Sequence, residues 1–371
     1  MQGEVRNEEQ ENKSIRNLIK SSSFIINEAY EKILSYQNKE FQPASTGYSY
    51  IDEALLGGIY PQNAIAIGAR PGVGKSFVTQ KIVENVMNPA INPQCMDYLL
   101  VNCEFEMNPM DLLLRRLSRD LKMPIKDILL NKPTELVEKK IMQVLKSERN
   151  QNIVYVPEPT SVKELEGVIE YVLSRNTHKR LVIFKIDHIA LVAREGGDPK
   201  RTMDNTIAVI NNAKLKYKNA FFLIISQFNR NIEERRAPKE QAPRMSDFYQ
   251  SDELGQLCSL MIGLNNPRRL GYDEYMYFPA NWFTNLDRFK VPGKKTAFRT
   301  DGLLFHHILK VRQVRIEELE NIIYPEIMPG YGFLYGEGGV KYINKNQPIE
   351  EPPRYYDIVE NGDTERDDMF D

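Results

Sequence analysis

Short apolar runs alternate along most of the chain with longer segments whose apolar residues recur at helical spacing. The runs of strand length cover residues 64–68, 98–103, 153–156, 181–186, 221–226 and 260–264. Helical spacing covers residues 75–87, 109–121, 133–146, 162–174 and 202–218. Apolar strands separated by helices are typical of a mostly parallel sheet with helices on both faces. The pattern therefore predicts the α/β fold class.

Two regions depart from this alternation. Residues 14–36 carry apolar residues at helical spacing ahead of a turn at 42–47, which predicts an amphipathic helix outside the main core. This helix either folds back on its own domain or docks on a neighbouring subunit. Residues 259–312 place aromatic and turn residues between two strand-like runs, the second at 303–311, which predicts an insertion or long hairpin at a sheet edge. The predicted organisation is a disordered segment 1–13, a linker helix 14–41, a motor domain 42–345 and a disordered tail 346–371.

The composition favours a soluble protein in a reducing, cytoplasmic setting. Of the 371 residues, 42% are hydrophobic and 27% are charged, and the longest apolar runs are too short to cross a membrane. The polar first 13 residues lack the apolar core of a secretory signal. The three cysteines and four histidines show neither a disulfide framework nor the spacing of a zinc site. We therefore expect no membrane partner and no export.

The net charge of −2 is unevenly distributed. Residues 350–371 contain nine acidic and two basic residues, a net charge of −7, which leaves +5 on the rest of the chain. Prolines introduce this acidic block, and it has no helical or strand periodicity, so we predict a disordered tail. The tail is a partner-docking peptide, a competitor for cationic loops or a solubilising segment.

The strongest chemical signal is a glycine-rich loop between a predicted strand and a predicted helix. Such a loop turns backbone N–H groups toward phosphates at a helix N-terminus. Lys75 can reach the outer phosphates and Ser76 can place its hydroxyl on Mg²⁺, although Ala69 stands where the motif has its first glycine. We predict a site for ATP, or another nucleoside triphosphate, with Mg²⁺. The nucleotide-binding residues are Ala69, Arg70, Pro71, Gly72, Val73, Gly74, Lys75, Ser76 and Phe77.

Polar side chains close three later strands. Asp187 ends a run that Lys185 interrupts, and we predict that it supports the metal, because the carboxyl ends of parallel strands collect ligands. Glu104 and Glu106 follow a strand that we expect beside the phosphate-loop strand, and their spacing does not decide which of them activates water. Gln227 ends another strand and can contact a γ-phosphate.

Beyond these positions, a series of motifs resembles that of DnaB-family replicative helicases, whose motor domain has a RecA-like core. The matching segments are Ser45-Thr-Gly-Tyr-Ser-Tyr-Ile-Asp52, the phosphate loop, Phe105-Glu-Met107, Ile186-Asp187, Ser226-Gln-Phe-Asn-Arg230, Arg244-Met-Ser-Asp-Phe248 and Ile308-Leu-Lys-Val-Arg312. The resemblance covers residues 42–312, and the family tolerates alanine at the position of Ala69.

The resemblance implies a hexameric ring that translocates 5′-to-3′ on single-stranded DNA and hydrolyses ATP at its subunit interfaces. It identifies Glu106, just before the methionine of its motif, as the catalytic glutamate. Asp187 then supports the metal and Gln227 senses the γ-phosphate. Lys310 and Arg312 match the K-x-R from which the family inserts an arginine finger into the adjacent subunit's site.

The chain also departs from the family pattern. His188 and Ala190 replace the usual tyrosine and glutamine after Asp187, and we interpret His188 as a packed residue. The family's globular N-terminal domain, which recruits primase, has no counterpart here, which favours a compact, phage-encoded helicase. Primase, a helicase loader and a single-strand-binding protein are the further partners that we expect.

A helicase ring binds the DNA backbone without reading its sequence and needs cations on a loop that faces its channel. Residues 228–245 follow the strand of Gln227 and form a long polar stretch. The predicted DNA-binding residues in it are Arg230, Arg235, Arg236, Lys239 and Arg244. The loop after Asp187, with Arg194, Lys200 and Arg201, is a second candidate.

Two other functions fit the same motifs. A RecA-like recombinase would form filaments and exchange strands, but the Lys310-Val-Arg312 and Arg-Met-Ser-Asp motifs favour a helicase. A nucleotide-gated loading or single-stranded DNA-binding protein would keep the core and lack unwinding. The sequence thus predicts an ATP-dependent replicative DNA helicase, with these two functions as alternatives.

Overall fold

The chain divides into two units, Met1–Pro43 and Ala44–Asp371. The computed structural model describes residues 19–38, 40, 42–121, 123–149, 152–158, 161–192, 198–235, 242–249, 251–271, 274–276, 297–299, 303–319 and 323–327. The first unit contains helix α1 (Ser22–Gln37), which begins where the Ser21 hydroxyl accepts a hydrogen bond from the Phe24 N–H at 3.2 Å. A helix is therefore present in the predicted segment 14–36, of which residues 14–18 lie outside the described residues.

The second unit is built on an eight-stranded sheet with a separate two-stranded sheet. The strands are β1 (Asn63–Ala69), β2 (Tyr98–Glu104), β3 (Ile153–Val156), β4 (Leu181–Asp187), β5 (Ala220–Gln227), β6 (Leu260–Asn265), β7 (Glu274–Met276), β8 (Ala297–Arg299), β9 (Leu303–Val311) and β10 (Ile323–Ile327). The large sheet has the order β10-β9-β6-β1-β5-β4-β2-β3, and only its pairings of β9 with β6 and β10 are antiparallel. The mostly parallel α/β sheet is confirmed.

Helices and two apolar cores cover the sheet. The helices of this unit are α2 (Ser49–Ala54), α3 (Lys75–Val86), α4 (Pro109–Leu121), α5 (Ile125–Leu130), α6 (Glu135–Arg149), α7 (Val162–Arg175), α8 (Pro199–Lys216) and α9 (Ser251–Leu257). Along β1, Ile65 and Ile67 join a core that includes α3, whereas Ala64 and Ala66 join a core that includes α7 and α8. Strands that are buried on both faces explain the continuous apolar runs of the sequence.

The expected position of β2 beside the phosphate-loop strand is wrong. Strand β1 pairs with β5 and β6, and β2 pairs with β3 and β4. Two strands that come later in the sequence, β4 and β5, thus lie between β1 and β2. As a result, Glu104 at the end of β2 is in register with Asp187 at the end of β4.

The predicted long hairpin lies between β6 and β9, which pair in antiparallel fashion. Strands β7 and β8 form their own antiparallel pair within this connection. Most of the aromatic insertion, residues 277–296, lies outside the described residues, as do the predicted disordered segments 1–13 and 346–371. Strand β10 extends the sheet beyond β9 and was not indicated by the apolar pattern.

Candidate functional site

The phosphate loop joins the buried strand β1 to the N-terminus of α3, as its motif predicts. Gly72 and Gly74 have φ angles of 72° and 125°, a region that side chains rarely adopt. A Cβ atom at Gly72 would also collide with the guanidinium group of Arg269. Arg269 follows β6 and donates a hydrogen bond to the Gly72 carbonyl. Arg269 and Gly72 are 197 positions apart in the sequence, and nothing in the sequence pattern indicates that they meet.

Lys75, Ser76 and Asp187 converge at this loop. The buried Lys75 ammonium donates to the Ala69 carbonyl at 3.4 Å. Burial lowers the pKa of Lys75, whereas the negative charges of Asp187 and Glu106 oppose this shift. The Ser76 hydroxyl donates to Asp187 Oδ2 at 3.3 Å. The chain therefore brings together the groups predicted to hold phosphates and a metal.

The oxygen atoms of Ser76 and Asp187 fit a magnesium ion. Asp187 Oδ1 is buried and has no hydrogen-bond partner among the described residues. Mg²⁺ is usually held in nucleotide sites by one or two protein oxygens together with substrate phosphates and water. In the described part of the chain, no group of three or more His, Cys, Asp or Glu side chains could hold a metal. A magnesium ion here would therefore need the nucleotide as a further ligand.

The two glutamates that follow β2 have different environments. Glu104 is buried and forms an ion pair with Lys185, which is also buried. Burial raises the pKa of Glu104 to about 7, although Lys185 acts to lower it. Glu106 lies beyond the strand and is exposed, and its charge raises the pKa of Lys75 and of His188 against the lowering effect of their burial. Of the two carboxylates, Glu106 is the one with access to solvent near Lys75.

Gln227 ends β5 directly beside the phosphate loop, because the strand register pairs it with Ala69. The Phe228 N–H donates to the Ala69 carbonyl at 3.0 Å. Arg70 of the loop donates to the Phe228 carbonyl at 2.8 Å and pairs with Glu233 at 2.7 Å. The phosphate loop is thus tied to the segment that is predicted to bind DNA.

The sequence model of the DnaB-like helicase C-terminal domain matches residues 44–274. The chain belongs to this helicase family. A solved ATPase domain is similar to it, with a TM-score of 0.57 and 17% identity over 80% of this chain and 97% of that one. A DnaB-like replicative helicase, solved in a study of its interactions with primase, gives a TM-score of 0.56 and 16% identity over 80% of this chain and 62% of that one. No curated protein sequence matches the chain.

These structural likenesses are too distant in sequence to show more than the fold, which is RecA-like as expected. The DnaB-like chain spans less than two thirds of the length of the replicative helicase that it matches. No helix of its described residues is long and apolar enough to cross a membrane.

Three of the five predicted DNA-binding cations of this DnaB-like chain are described. Arg230 and Arg244 are exposed. The Arg235 guanidinium instead forms a bidentate ion pair with the buried Asp247. Arg236 and Lys239 lie outside the described residues. Arg235 therefore anchors its own segment, whereas Arg230 and Arg244 present their side chains to solvent.

The predicted finger residues lie at the end of β9, where their cationic groups contact their own chain. Lys310, Arg312 and Lys214 of α8 donate hydrogen bonds to three consecutive carbonyl groups, those of residues 255, 256 and 257 respectively. These carbonyls form the C-terminal end of α9, where the helix dipole favours cations. We refer to this arrangement as the α9 cation cluster.

A largely buried carboxylate, with 11% of its side chain exposed, connects the phosphate-loop helix to the strand that carries the proposed finger residues. Glu326 of β10 accepts hydrogen bonds from Lys81 of α3 at 2.8 Å and from Tyr48 at 3.1 Å. It also lies 3.0 Å from His306 Nε2 on β9. Burial raises the pKa of Glu326, but the contacts with His306 and Lys81 outweigh it and lower the pKa to about 2. Glu326 is therefore an ionised link between α3 and β9.

Proposed function

We propose that this DnaB-like protein is an ATP-driven replicative DNA helicase that forms a hexameric ring, moves 5′-to-3′ on single-stranded DNA and unwinds the duplex. The observation that carries the proposal is the convergence of Lys75, Ser76, Asp187 and Glu106 at the phosphate loop of a helicase-family domain. Hydrolysis of ATP needs groups that bind the phosphates, support a metal ion and activate water, and these four residues are of the types required.

In the proposed reaction, the loop N–H groups and the Lys75 ammonium bind the phosphates of ATP. Ser76 and Asp187 are the residues that would hold Mg²⁺, and the ion would supply positive charge to the phosphoryl oxygens. Glu106 accepts the proton of the attacking water, and Gln227, beside Ala69, contacts the γ-phosphate. Arg70, Pro71, Gly72, Val73, Gly74 and Phe77 complete the nucleotide-binding loop.

Lys310 and Arg312 are proposed to complete the site of a neighbouring subunit. A guanidinium group near the transferring phosphoryl group stabilises its charge, and supply from a second chain makes hydrolysis depend on assembly. The exposed position of Arg312 supports this role.

Helix α1 is proposed to dock on the next subunit, because Phe24, Ile26 and Ile33 on it are exposed.

Single-stranded DNA is proposed to bind along residues 228–245 through Arg230, Arg236, Lys239 and Arg244, with Arg235 holding the segment in place through its ion pair with Asp247. The ion pair between Arg70 and Glu233 supports a coupling between nucleotide and DNA, because it joins the two segments directly. Primase, a loader or a single-strand-binding protein are proposed partners, and the acidic tail is a candidate docking segment for one of them.

Strand displacement from forked DNA with either a 5′ or a 3′ tail tests the proposal. We expect ATP-dependent opening of the fork with the 5′ tail and none by Lys75→Ala. If neither fork opens at concentrations that support hexamers, the protein is a nucleotide-gated binding or loading protein. Filaments that exchange strands would instead identify a recombinase.

A further inference from the structure

Two opposite charges are buried next to the predicted metal-supporting carboxylate. Lys185 and Glu104 are 0% and 1% exposed, and they lie on neighbouring strands β4 and β2. In the strand register, Lys185 is opposite Asn102 and Glu104 is opposite Asp187. Because side chains alternate along a strand, all four side chains point to the same face of the sheet. Ser76 approaches Asp187 from the phosphate-loop helix on this face.

The Lys185 ammonium has contacts with both carboxylates. It forms an ion pair with Glu104, donates to Asn102 Oδ1 at 3.2 Å and lies 4.0 Å from Asp187 Oδ2. Each carboxylate retains one buried oxygen, Oε2 of Glu104 and Oδ1 of Asp187, without a hydrogen-bond partner in the described part of the chain. The pair of carboxylates therefore has oxygens available, and a cation from the chain itself stands beside them.

Without that ammonium, two buried carboxylates would face each other. Such a pair is costly to keep ionised and is an arrangement that attracts a hard divalent cation. A metal held by both carboxylates would be drawn toward β2 and away from Ser76. It would also bind in the absence of nucleotide.

We propose that Lys185 is a positioning residue that holds Glu104 out of the metal site. The inference rests on the proposed role of Asp187. Because Lys185 compensates the charge of Glu104, Asp187 is the one of the two carboxylates that supports Mg²⁺. The ion then binds together with the nucleotide. Glu106 is then the glutamate of this segment that acts on water, a choice that residue spacing alone does not make.

Binding of Mn²⁺ to the nucleotide-free protein tests this role directly. We expect Lys185→Met to bind Mn²⁺, followed by electron paramagnetic resonance, about tenfold or more tightly than the wild-type protein. The double variant Glu104→Gln/Lys185→Met should return to the wild-type affinity. Lys163→Met, at an exposed position of α7, is the matched control and should not change Mn²⁺ binding. Wild-type affinity in Lys185→Met, or tight binding in the double variant, would overturn the proposal.

The reciprocal variant provides a test that does not depend on a buried, unpaired glutamate. In Glu104→Gln the ammonium retains Asp187 as its charged neighbour and competes with Mg²⁺. We expect the Mg²⁺ concentration that gives half-maximal binding of a fluorescent ATP analogue to rise about fivefold, and the double variant to restore it. An unchanged Mg²⁺ requirement would contradict the proposal, including in the case that Lys185→Met does not fold.

The two experiments also separate this inference from the proposed function. The Mn²⁺ measurement uses no nucleotide, so it reports on Lys185 even if the protein does not hydrolyse ATP. If the protein is not a helicase, the wild-type protein will not unwind DNA, but the Mn²⁺ result will be unaffected.

Discussion

The phosphate-loop site and the α9 cation cluster use similar side chains but are prepared for different partners. At the loop, Lys75 is buried, and Ser76 and Asp187 already contact each other within one chain. At α9, Lys310 and Arg312 donate to carbonyl groups of their own chain. A cation with such partners must exchange them before it can act on a phosphate in another subunit. One chain thus brings the proposed nucleotide-binding groups together, whereas its proposed finger residues are bound to carbonyl groups of α9.

Removal of the lysine at the loop should have the largest effect. We expect Lys75→Ala to reduce ATP hydrolysis, measured as phosphate release, by about 1000-fold, because the outer phosphates lose their buried cation. Lys163→Ala on α7 serves as the exposed control and should retain wild-type activity. Retention of more than a small part of the activity in Lys75→Ala would show that the loop is not the hydrolytic site.

Removal of the proposed finger residue should have a smaller effect on ATP hydrolysis, and this effect should depend on assembly of subunits. We expect Arg312→Ala to reduce hydrolysis by about 100-fold. Mixing it with Lys75→Ala should restore part of the activity, since each variant supplies what the other lacks. Arg315→Ala is a matched control, because Arg315 lies three residues away and its side chain is 83% exposed. Full activity in a strictly monomeric protein would refute the exchange of partners at α9.

The proposed DNA-binding segment contains exposed arginines, Arg230 and Arg244, and one arginine that is already paired, Arg235. Their variants therefore allow the same comparison between available and engaged cations. We expect Arg230→Ala and Arg244→Ala each to weaken single-stranded DNA binding several-fold and to reduce the salt slope by about 0.7. Arg235→Ala should mainly lower thermal stability, because it leaves the buried Asp247 without its ion-pair partner. Fluorescence anisotropy at several salt concentrations, with melting curves, distinguishes the two outcomes. Equal salt slopes for all three variants and the wild type would exclude this segment as the DNA site.

Substitution of Glu326 tests whether its charge holds α3 and β9 together. Its pKa is about 2, below the ordinary 4.5, so its stabilising effect is present above pH 4.5 and is lost as the pH falls toward 2. We expect Glu326→Gln to melt about 5 °C lower than the wild type at pH 7, with a difference that shrinks between pH 4.5 and pH 2. Glu318→Gln, at an exposed position, is the control. A pH-independent difference would mean that Glu326 contributes through packing and not through its charge.

Much of the fold follows from the sequence, because parallel strands that are buried on both faces leave continuous apolar runs. Asp187 and Gln227 end their strands as the pattern predicts. The position of β2 could not be predicted, since periodicity identifies strands but not their neighbours. Strand β10 and helix α9 are short, and their patterns are correspondingly weak.

The contacts of the candidate site were less predictable than its members. Lys185 interrupts an apolar run in the sequence, and its partner Glu104 lies 81 positions away. A signal did exist, since Lys185 is two residues before Asp187 and must share its side of the sheet. The carbonyl partners of Arg312 have no such signal, because backbone groups are the same at every position. Side-chain pattern can therefore suggest which groups are present at a site, but not which of them are already engaged.

The link through Glu326 also sets a lower limit on how far this protein can be shortened. The family match ends at residue 274, yet the carboxylate that holds Lys81, Tyr48 and His306 lies 52 residues later. A version that stopped after residue 319 would keep Lys310 and Arg312 but would leave those three side chains without their common acceptor. Expression of the motor for biochemical or crystallographic work should therefore extend at least to the end of β10.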